Sequence, residues 1–131
     1  MIYKTLMLVL AVATLNSGEF TAQTSLRKAK KEAEVKITLV AQPGWKFNDK
    51  YPLFIRGYLN EVGEKHRLRG AVTYSTLPGN SWTEFIFRIP LEKINLTKDK
   101  IFVKINFSFC NTTTCRVWRG EMFEFTKKDL E

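Results

Sequence analysis

The sequence predicts an all-β fold, an antiparallel β-sandwich of about six short strands. Two patterns indicate it: apolar and polar residues alternate with a period of two along several segments, and clusters of Gly, Pro and Asn separate those segments. The chain has 131 residues, of which 44% are hydrophobic, so it can bury one core and is too short for two. A single folded domain is therefore expected.

The first clear strand begins at Val35. Val35, Ile37 and Leu39 would share one face, and Lys36 and Thr38 the other. The sequence Pro-Gly at positions 43 and 44 then ends the run. The prediction is a half-buried strand with one face in the core.

Three further strands are predicted by the same alternation. They cover Phe54 to Asn60, Leu68 to Ser75 and Trp82 to Ile89. In the strand that starts at Leu68, the residues Leu68, Val72 and Tyr74 would share a face. In the strand that starts at Trp82, the expected apolar face consists of Thr83, Phe85, Phe87, Ile89 and Leu91.

The last hairpin shows the clearest alternation. Its predicted core face consists of Ile101, Val103, Ile105, Phe107 and Phe109. Cys110 and Cys115 flank a four-residue loop, and if they face each other the register follows by counting outward, with both cysteines on the polar face. The predicted pairs are Ser108 with Val117, Asn106 with Arg119, Lys104 with Glu121, Phe102 with Phe123, Phe107 with Trp118, Ile105 with Gly120 and Val103 with Met122.

The amino terminus has the order of a secretion signal. Lys4 supplies a positive start, residues 6–15 are apolar except for Thr14, and small and polar residues follow. The apolar run is about half the length that crosses a bilayer, so a cleaved signal helix over residues 1–23 is favoured over a permanent membrane span. Cleavage after Gly18, Ala22 or Gln23 fits the pattern. The protein is therefore expected to be exported, either to a periplasm or out of the cell.

The formal net charge is +8, and several cations precede the first predicted strand or lie at its start. They are Arg27, Lys28, Lys30, Lys31 and Lys36. No aromatic residues interleave with them to stack on bases, so no nucleic-acid partner is expected. Residues 24–34 are interpreted as a solvated basic linker, and residues 35–127 as the sandwich domain.

The chain's two cysteines, Cys110 and Cys115, form the candidate site. In an exported protein they are expected to pair, because disulfides persist in oxidising compartments. A bond between neighbouring strands closes a small loop, so it could be a structural pin or an accessible pair for thiol–disulfide exchange. Lys104, Arg116 and Arg119 would favour a thiolate if they lie close to it.

Other chemistries find little support in the sequence. His66 is the single histidine, so a zinc site or a Ser-His-Asp triad would lack ligands or a base. The scattered acids Glu84, Glu92, Asp99 and Glu121 are interpreted as solvated charges rather than a glycosidase pair. No cofactor and no metal are expected.

Several segments resemble a known module. Residues 37–48, 51–53, 85–91 and 103–125 resemble the small β-sandwich at the end of NHL-repeat and thioredoxin fusion proteins. That module is similar to the immunoglobulin-like periplasmic N-terminal domain of the DsbD type. The chain departs from the DsbD type in its short, Thr-rich intercysteine loop, in lacking an identifiable aromatic-rich capping loop, and in having no membrane domain.

The resemblance implies an immunoglobulin-like sandwich that performs thiol–disulfide interchange. Cys110 and Cys115 would be the redox-active, catalytic pair, and the partner would be a thiol–disulfide protein. The alternative is a non-catalytic secreted binding module in which the same disulfide is structural. Its basic surface would suit an anionic or acidic protein partner.

Overall fold

Two antiparallel sheets enclose the core of the protein. The computed structural model describes residues 18–76 and 78–131, and the part of the predicted signal helix within residues 1–17 lies outside them. The strands are β1 (Phe20–Ala29), β2 (Glu32–Ala41), β3 (Lys46–Phe47), β4 (Phe54–Leu59), β5 (Arg67–Leu68), β6 (Ala71–Thr76), β7 (Trp82–Pro90), β8 (Ile101–Cys110) and β9 (Cys115–Phe125). Short 3-10 turns cover Glu64–His66, Pro78–Asn80, Leu91–Lys93 and Lys127–Asp129. The all-β, antiparallel two-sheet prediction is confirmed.

The two sheets differ in how their strands are arranged. The first has the order β1-β2-β7-β6. In the second, β8 is central: β9 pairs along one of its edges, while β3 and β4 share the other, and β5 pairs with β4. The cysteine hairpin is therefore formed by the central strand and an edge strand of one sheet.

The alternating residues predicted for the core are the ones that the sheets bury. Side chains of β2 and β7 meet the inward row of β8, whose five members are at most 1% exposed. Alternation places successive side chains on opposite faces of a strand, so one face of each sheet is apolar and packs against the other sheet. Thr83, predicted on the apolar face of β7, is also buried and donates its hydroxyl proton to the Ser75 carbonyl oxygen at 3.0 Å.

The segment 24–34 is not a linker. Strand β1 pairs with β2 along its whole length, through a two-residue turn at Lys30 and Lys31. Its residues Phe20, Ala22 and Leu26 are at most 2% exposed and belong to the core. Polar residues lie between these three positions, so the apolar alternation of the segment is weak in the sequence. The strand forms because β2 offers an edge with which it pairs.

The carboxyl terminus also joins the sandwich, beyond the predicted domain end at residue 127. Leu130 makes a parallel bridge with Leu26 of β1. The Glu131 N–H donates to the Leu26 carbonyl oxygen at 2.9 Å. These bonds cover part of the outer edge of β1, which would otherwise be an open edge of the first sheet.

The strand predicted over Leu68 to Ser75 is divided between the two sheets. Leu68 lies in β5 of the second sheet and is buried, whereas Val72 and Tyr74 lie in β6 of the first sheet and are 41% and 37% exposed. The expectation that these three share a face is wrong. The chain crosses between the sheets at Gly70, where a Cβ would lie 2.3 Å from the Arg88 carbonyl oxygen.

The predicted register of the last hairpin is correct near the cysteines and wrong beyond Asn106. Phe107 faces Trp118 as predicted, and then two residues of β9, Arg119 and Gly120, oppose the single residue Asn106. This is a β-bulge. Gly120 adopts φ 67° and its N–H donates to Asn106 Oδ1 at 2.6 Å.

The bulge shifts every later pair by one residue. Lys104 faces Met122 instead of Glu121, and Val103 faces Phe123 instead of Met122. A shift of one residue exchanges the two faces of a strand. As a result Phe123 and Phe125 point into the core, where they are 4% and 1% exposed.

We expect Gly120→Ala to lower the free energy of unfolding by about 1 kcal/mol, because an L side chain is disfavoured at a left-handed φ. The cost is conformational, since a Cβ at this position has Lys104 Cδ as its nearest neighbour, at 3.9 Å. Gly120→Asn should cost less, because Asn enters this region more readily. Urea unfolding measures both variants, and equal losses would contradict the explanation.

A charged triplet crosses three strands on the outer face of the first sheet. Arg27 of β1, Glu34 of β2 and Arg88 of β7 are neighbours in register. Arg27 Nε donates to Glu34 Oε1 at 2.8 Å, and Arg88 Nε lies 3.4 Å from Glu34 Oε2. The hydrogen bond from Arg27 lowers the pKa of Glu34 below its ordinary value, against the opposing effect of desolvation, and the charges of Arg27, Arg88 and Lys36 lower it further.

We expect Glu34→Gln to lower the free energy of unfolding by about 1 kcal/mol at neutral pH. Because the pKa of Glu34 is lower in the folded than in the unfolded chain, its carboxylate stabilises the fold above the unfolded-state pKa, and this contribution is lost as the pH falls through the folded-state pKa. The two proteins should therefore converge in strongly acidic buffer. Glu92→Gln, at an exposed acid, is the control for net charge; a difference between Glu34→Gln and the native protein that persists in acid would contradict the assignment.

Candidate functional site

The two cysteines form a disulfide at the end of the last hairpin, as predicted. Cys110 is the last residue of β8, Cys115 is the first of β9, and the two are direct partners in the ladder. Their Cα atoms are 4.0 Å apart and their sulfurs are bonded at 2.01 Å. The bond therefore joins adjacent strands of one sheet and does not link the two sheets.

The loop between the cysteines is held by its own hydrogen bonds. The Asn111 N–H donates to the Thr114 carbonyl oxygen at 2.9 Å. Asn111 Oδ1 accepts from the N–H groups of Thr113 and Thr114, at 2.9 and 2.8 Å, and from the Thr113 hydroxyl at 3.2 Å. This is the turn chemistry for which Asn is preferred. These hydrogen bonds hold the shape of the hairpin turn in addition to the sulfur–sulfur bond.

The two sulfur-bearing residues differ in exposure. Cys115 is exposed, whereas Cys110 is half-buried. Within the described residues, the strand β9 pairs with β8 alone, so its other side is open to solvent. Next to the disulfide on the same outer face, Val117 is 43% exposed. A partner protein would therefore reach Cys115 more easily than Cys110.

Lys46 is the cation that the fold brings beside the disulfide. In β3 it is the ladder partner of Cys110, on the edge of β8 opposite to β9. Directly opposed residues project from the same face of a sheet. Because β3 is two residues long and lies more than sixty positions before Cys110, no local pattern in the sequence indicated this neighbour.

The cations proposed from the sequence lie elsewhere. Arg116 is the ladder partner of the core residue Phe109, and its Nη1 lies 3.1 Å from Glu19 Oε2. Lys104 is six residues from Cys110 along β8, about 20 Å away, and its Nζ lies 5.9 Å from the centre of the Tyr58 ring. Arg119 is an exposed residue of the bulge. A role beside the thiolate is thus not supported for Arg116 or Lys104.

An aromatic cluster supports the hairpin from the core side. Trp118 stacks on Phe107 with ring centres 5.4 Å apart, and meets the edges of Phe20 and Phe109 at 4.9 and 6.0 Å. Phe20 in turn stacks on Phe109 at 5.1 Å. Aromatic pairs of this geometry stabilise beyond the area that they bury. The strands that carry the cysteines are fixed by packing.

The acidic residues and the histidine lie apart from one another or in surface ion pairs. Within residues 18–76 and 78–131, no three His, Cys, Asp or Glu side chains come together in a group that could hold a metal ion. His66 lies in the turn Glu64–His66, with its Nε2 3.3 Å from Glu61 Oε2. In the same described residues, no helix is long and apolar enough to span a membrane.

Comparison with known proteins returns no match to a family model, to a curated protein or to a solved structure. The resemblance to the DsbD type and to the sandwich of NHL-repeat proteins therefore rests on the sequence segments in which it was recognised.

We expect the double variant Cys110→Ser, Cys115→Ser to keep the fold and to lose at most about 2 kcal/mol of unfolding free energy, the chain-entropy value for so short a loop. Urea unfolding with near-ultraviolet circular dichroism measures this loss. Asn111→Ala with the disulfide intact is the matched control for the loop's own hydrogen bonds. An unfolded double variant would show that the disulfide is a structural requirement.

Proposed function

We propose that the protein is an exported thiol–disulfide interchange module that uses Cys110 and Cys115 as its redox pair. The observation that carries the proposal is the position of the bond, at an exposed edge of a hairpin that packing and loop hydrogen bonds already hold. A disulfide so placed is accessible to a partner's thiolate, as exchange requires. The fold has little need of it as a staple.

The exchange would begin at the exposed sulfur. The thiolate of a reduced dithiol partner attacks Sγ of Cys115, a mixed disulfide forms, and Cys110 leaves as a thiolate. The second thiolate of the partner then attacks the partner sulfur of the mixed disulfide and releases Cys115. Two electrons pass to the pair, the partner becomes a disulfide, and the pair can reduce a disulfide of an exported substrate by the same steps in reverse.

Lys46 would assist by stabilising the leaving group. Its ladder position beside Cys110 brings a positive charge to the face from which that thiolate departs. Nearby cations lower the pKa of a thiol, and a lower leaving-group pKa speeds exchange. Lys46 is thus proposed as a positioning charge on Cys110.

The resemblance to the DsbD type agrees with this assignment. The two-sheet antiparallel architecture is compatible with the immunoglobulin-like sandwich of that type, and the cysteine pair lies on a hairpin of it. The intercysteine loop is short, and no aromatic-rich capping loop is identifiable in the sequence. These differences from the DsbD type would leave the cysteine pair open to solvent in the resting protein.

Export is the second part of the proposal. The apolar segment 6–15 and the disulfide support it, since disulfides are rare in reducing compartments.

The position of β1 constrains the cleavage site. Removal of residues up to Ala22 or Gln23 would delete Phe20 from the aromatic cluster, so we infer that cleavage falls ahead of Phe20, with Gly18 the best candidate of those predicted.

The test is thiol alkylation and mass mapping of the mature protein in a series of dithiothreitol and glutathione redox buffers. We expect the pair to be reduced reversibly with a potential above roughly −300 mV. A reduction potential below this value would identify the disulfide as a structural bond and refute the redox function. The mass of the mature protein also reports its amino terminus, which should lie before Phe20.

Single variants distinguish the two sulfurs. In alkaline buffer that ionises both thiols, so that the charge of Lys46 no longer decides, the remaining thiol of Cys110→Ser should react faster with 5,5′-dithiobis(2-nitrobenzoate) than that of Cys115→Ser, because Cys115 is the more exposed. Equal rates in the two single cysteine variants would contradict the proposed point of attack.

A charge variant tests the role of Lys46. Lys46→Gln should slow release of Cys110 from the intact disulfide. Lys50→Gln, at an exposed cation in the loop after β3, is its control.

A further inference from the structure

In the part of the chain that the structure describes, no strand pairs with the outer edge of β6 in the first sheet. Among the described residues, β6 pairs with β7 alone, and every residue from Ala71 to Ser75 is exposed. Its sequence, AVTYST, has no charge and no proline, and its ladder with β7 is regular. Charges, prolines and bulges are the devices by which proteins protect such edges from pairing. This strand has none of them.

The inward side of β6 is only partly covered by the second sheet, in which the Phe47 ring lies 6.3 Å from the Tyr74 ring between centres. Val72 and Tyr74 face the same way as the core residues Phe87 and Phe85 of β7, yet they are 41% and 37% exposed. The second sheet ends near them in β5, which is two residues long. A cleft of about 140 Å³ remains there, and its lining includes Ile55 and Gly57 of β4, Val72 of β6 and Phe87 of β7.

The walls of this cleft are cationic. Arg56, Arg67 and Arg69 line it, and Arg67 and Arg69 also line an adjoining cleft of about 360 Å³ with Lys65 and Lys93. Glu64 partly compensates Arg56 and Arg67, with N···O distances of 3.6 and 3.4 Å. Arg69, Lys65 and Lys93 have no carboxylate within 4 Å among the described residues. The surface beside β6 therefore carries a positive excess.

We propose that β6 and this cleft are the docking site for an extended acidic segment of a partner protein. The segment adds to the first sheet as a strand beside β6, and backbone hydrogen bonds provide affinity. Its alternate side chains point toward the cleft, where carboxylates meet Arg69, the arginine of this cleft that has no carboxylate within 4 Å among the described residues. A second copy of the chain is a poorer occupant, because it would bring the same arginines and a net charge of +8 to the same edge.

This inference does not depend on the redox function. Leu59, in the larger cleft, pairs with Ile101 at the start of β8, whereas the disulfide is at the end of that strand. Changes at Arg69 should leave the reduction of Cys110 and Cys115 unaltered. The two proposals can therefore fail separately.

The experiment uses three fluorescently labelled decapeptides and the mature protein, with binding followed by anisotropy. One peptide alternates Glu and Thr, the second alternates Lys and Thr, and the third is the Glu-Thr peptide with alternate backbone amides N-methylated. We expect the first to bind, more weakly as salt rises, and the other two not to bind. Amide hydrogen exchange should show protection within β6 when the first peptide is bound.

Two variants that change the net charge by the same amount test whether Arg69 itself contributes to binding. Arg69→Gln should weaken binding of the Glu-Thr peptide by roughly threefold, the range of an exposed ion pair. Lys28→Gln, at an exposed cation on β1 at the opposite edge of the sheet, should leave it unchanged.

Three results would overturn the proposal. They are the absence of binding at millimolar peptide, equal binding of the N-methylated peptide, and a dimer in sedimentation whose formation protects the β6 amides. The second would indicate attraction by charge without strand addition. The third would make a second copy the occupant.

Discussion

The pairing of β8 on both of its edges is the constraint on which the second sheet depends. β9 takes one edge, and β3 and β4 divide the other. The inward row from Ile101 to Phe109 is fully buried, so β8 cannot shift without exposing several aromatic or branched side chains. Cys110 is the last residue of this strand. Its position is consequently as well defined as that of the core.

That constraint gives the disulfide at the end of β8 a defined position on the surface. Trp118 and Phe20 hold the hairpin from inside, and Asn111 shapes the loop at its tip. The sulfurs lie on the other, outer face, where Cys115 is exposed. A different arrangement is found at β6 of the first sheet, where the second sheet covers Val72 and Tyr74 only in part and an uncharged strand edge lies near arginines.

The strands β2, β7 and β8 were predicted from the sequence, since their inward positions are apolar except for Thr83 of β7. β2, β7 and β8 alternate without interruption, because each has one face in the core and one in solvent. β1 was missed since its buried residues Phe20, Ala22 and Leu26 are separated by polar positions on both faces. The register beyond Asn106 was missed for a different reason. Alternation alone does not reveal where an extra residue enters a strand, and here the position is set by a glycine that can adopt φ 67°.

The sequence by itself determined the disulfide and the face on which it lies, because the cysteines are five positions apart in one hairpin and the alternation around them is local. Only the tertiary structure decided what surrounds that bond and where a partner could dock. Lys46 lies beside Cys110 because β3 pairs with β8, and Val72 of β6 comes to Ile55 of β4 because the chain crosses between the sheets at Gly70. Lys46 and Cys110 are more than sixty positions apart in the chain, and such meetings depend on which strand edges pair, which no local period encodes.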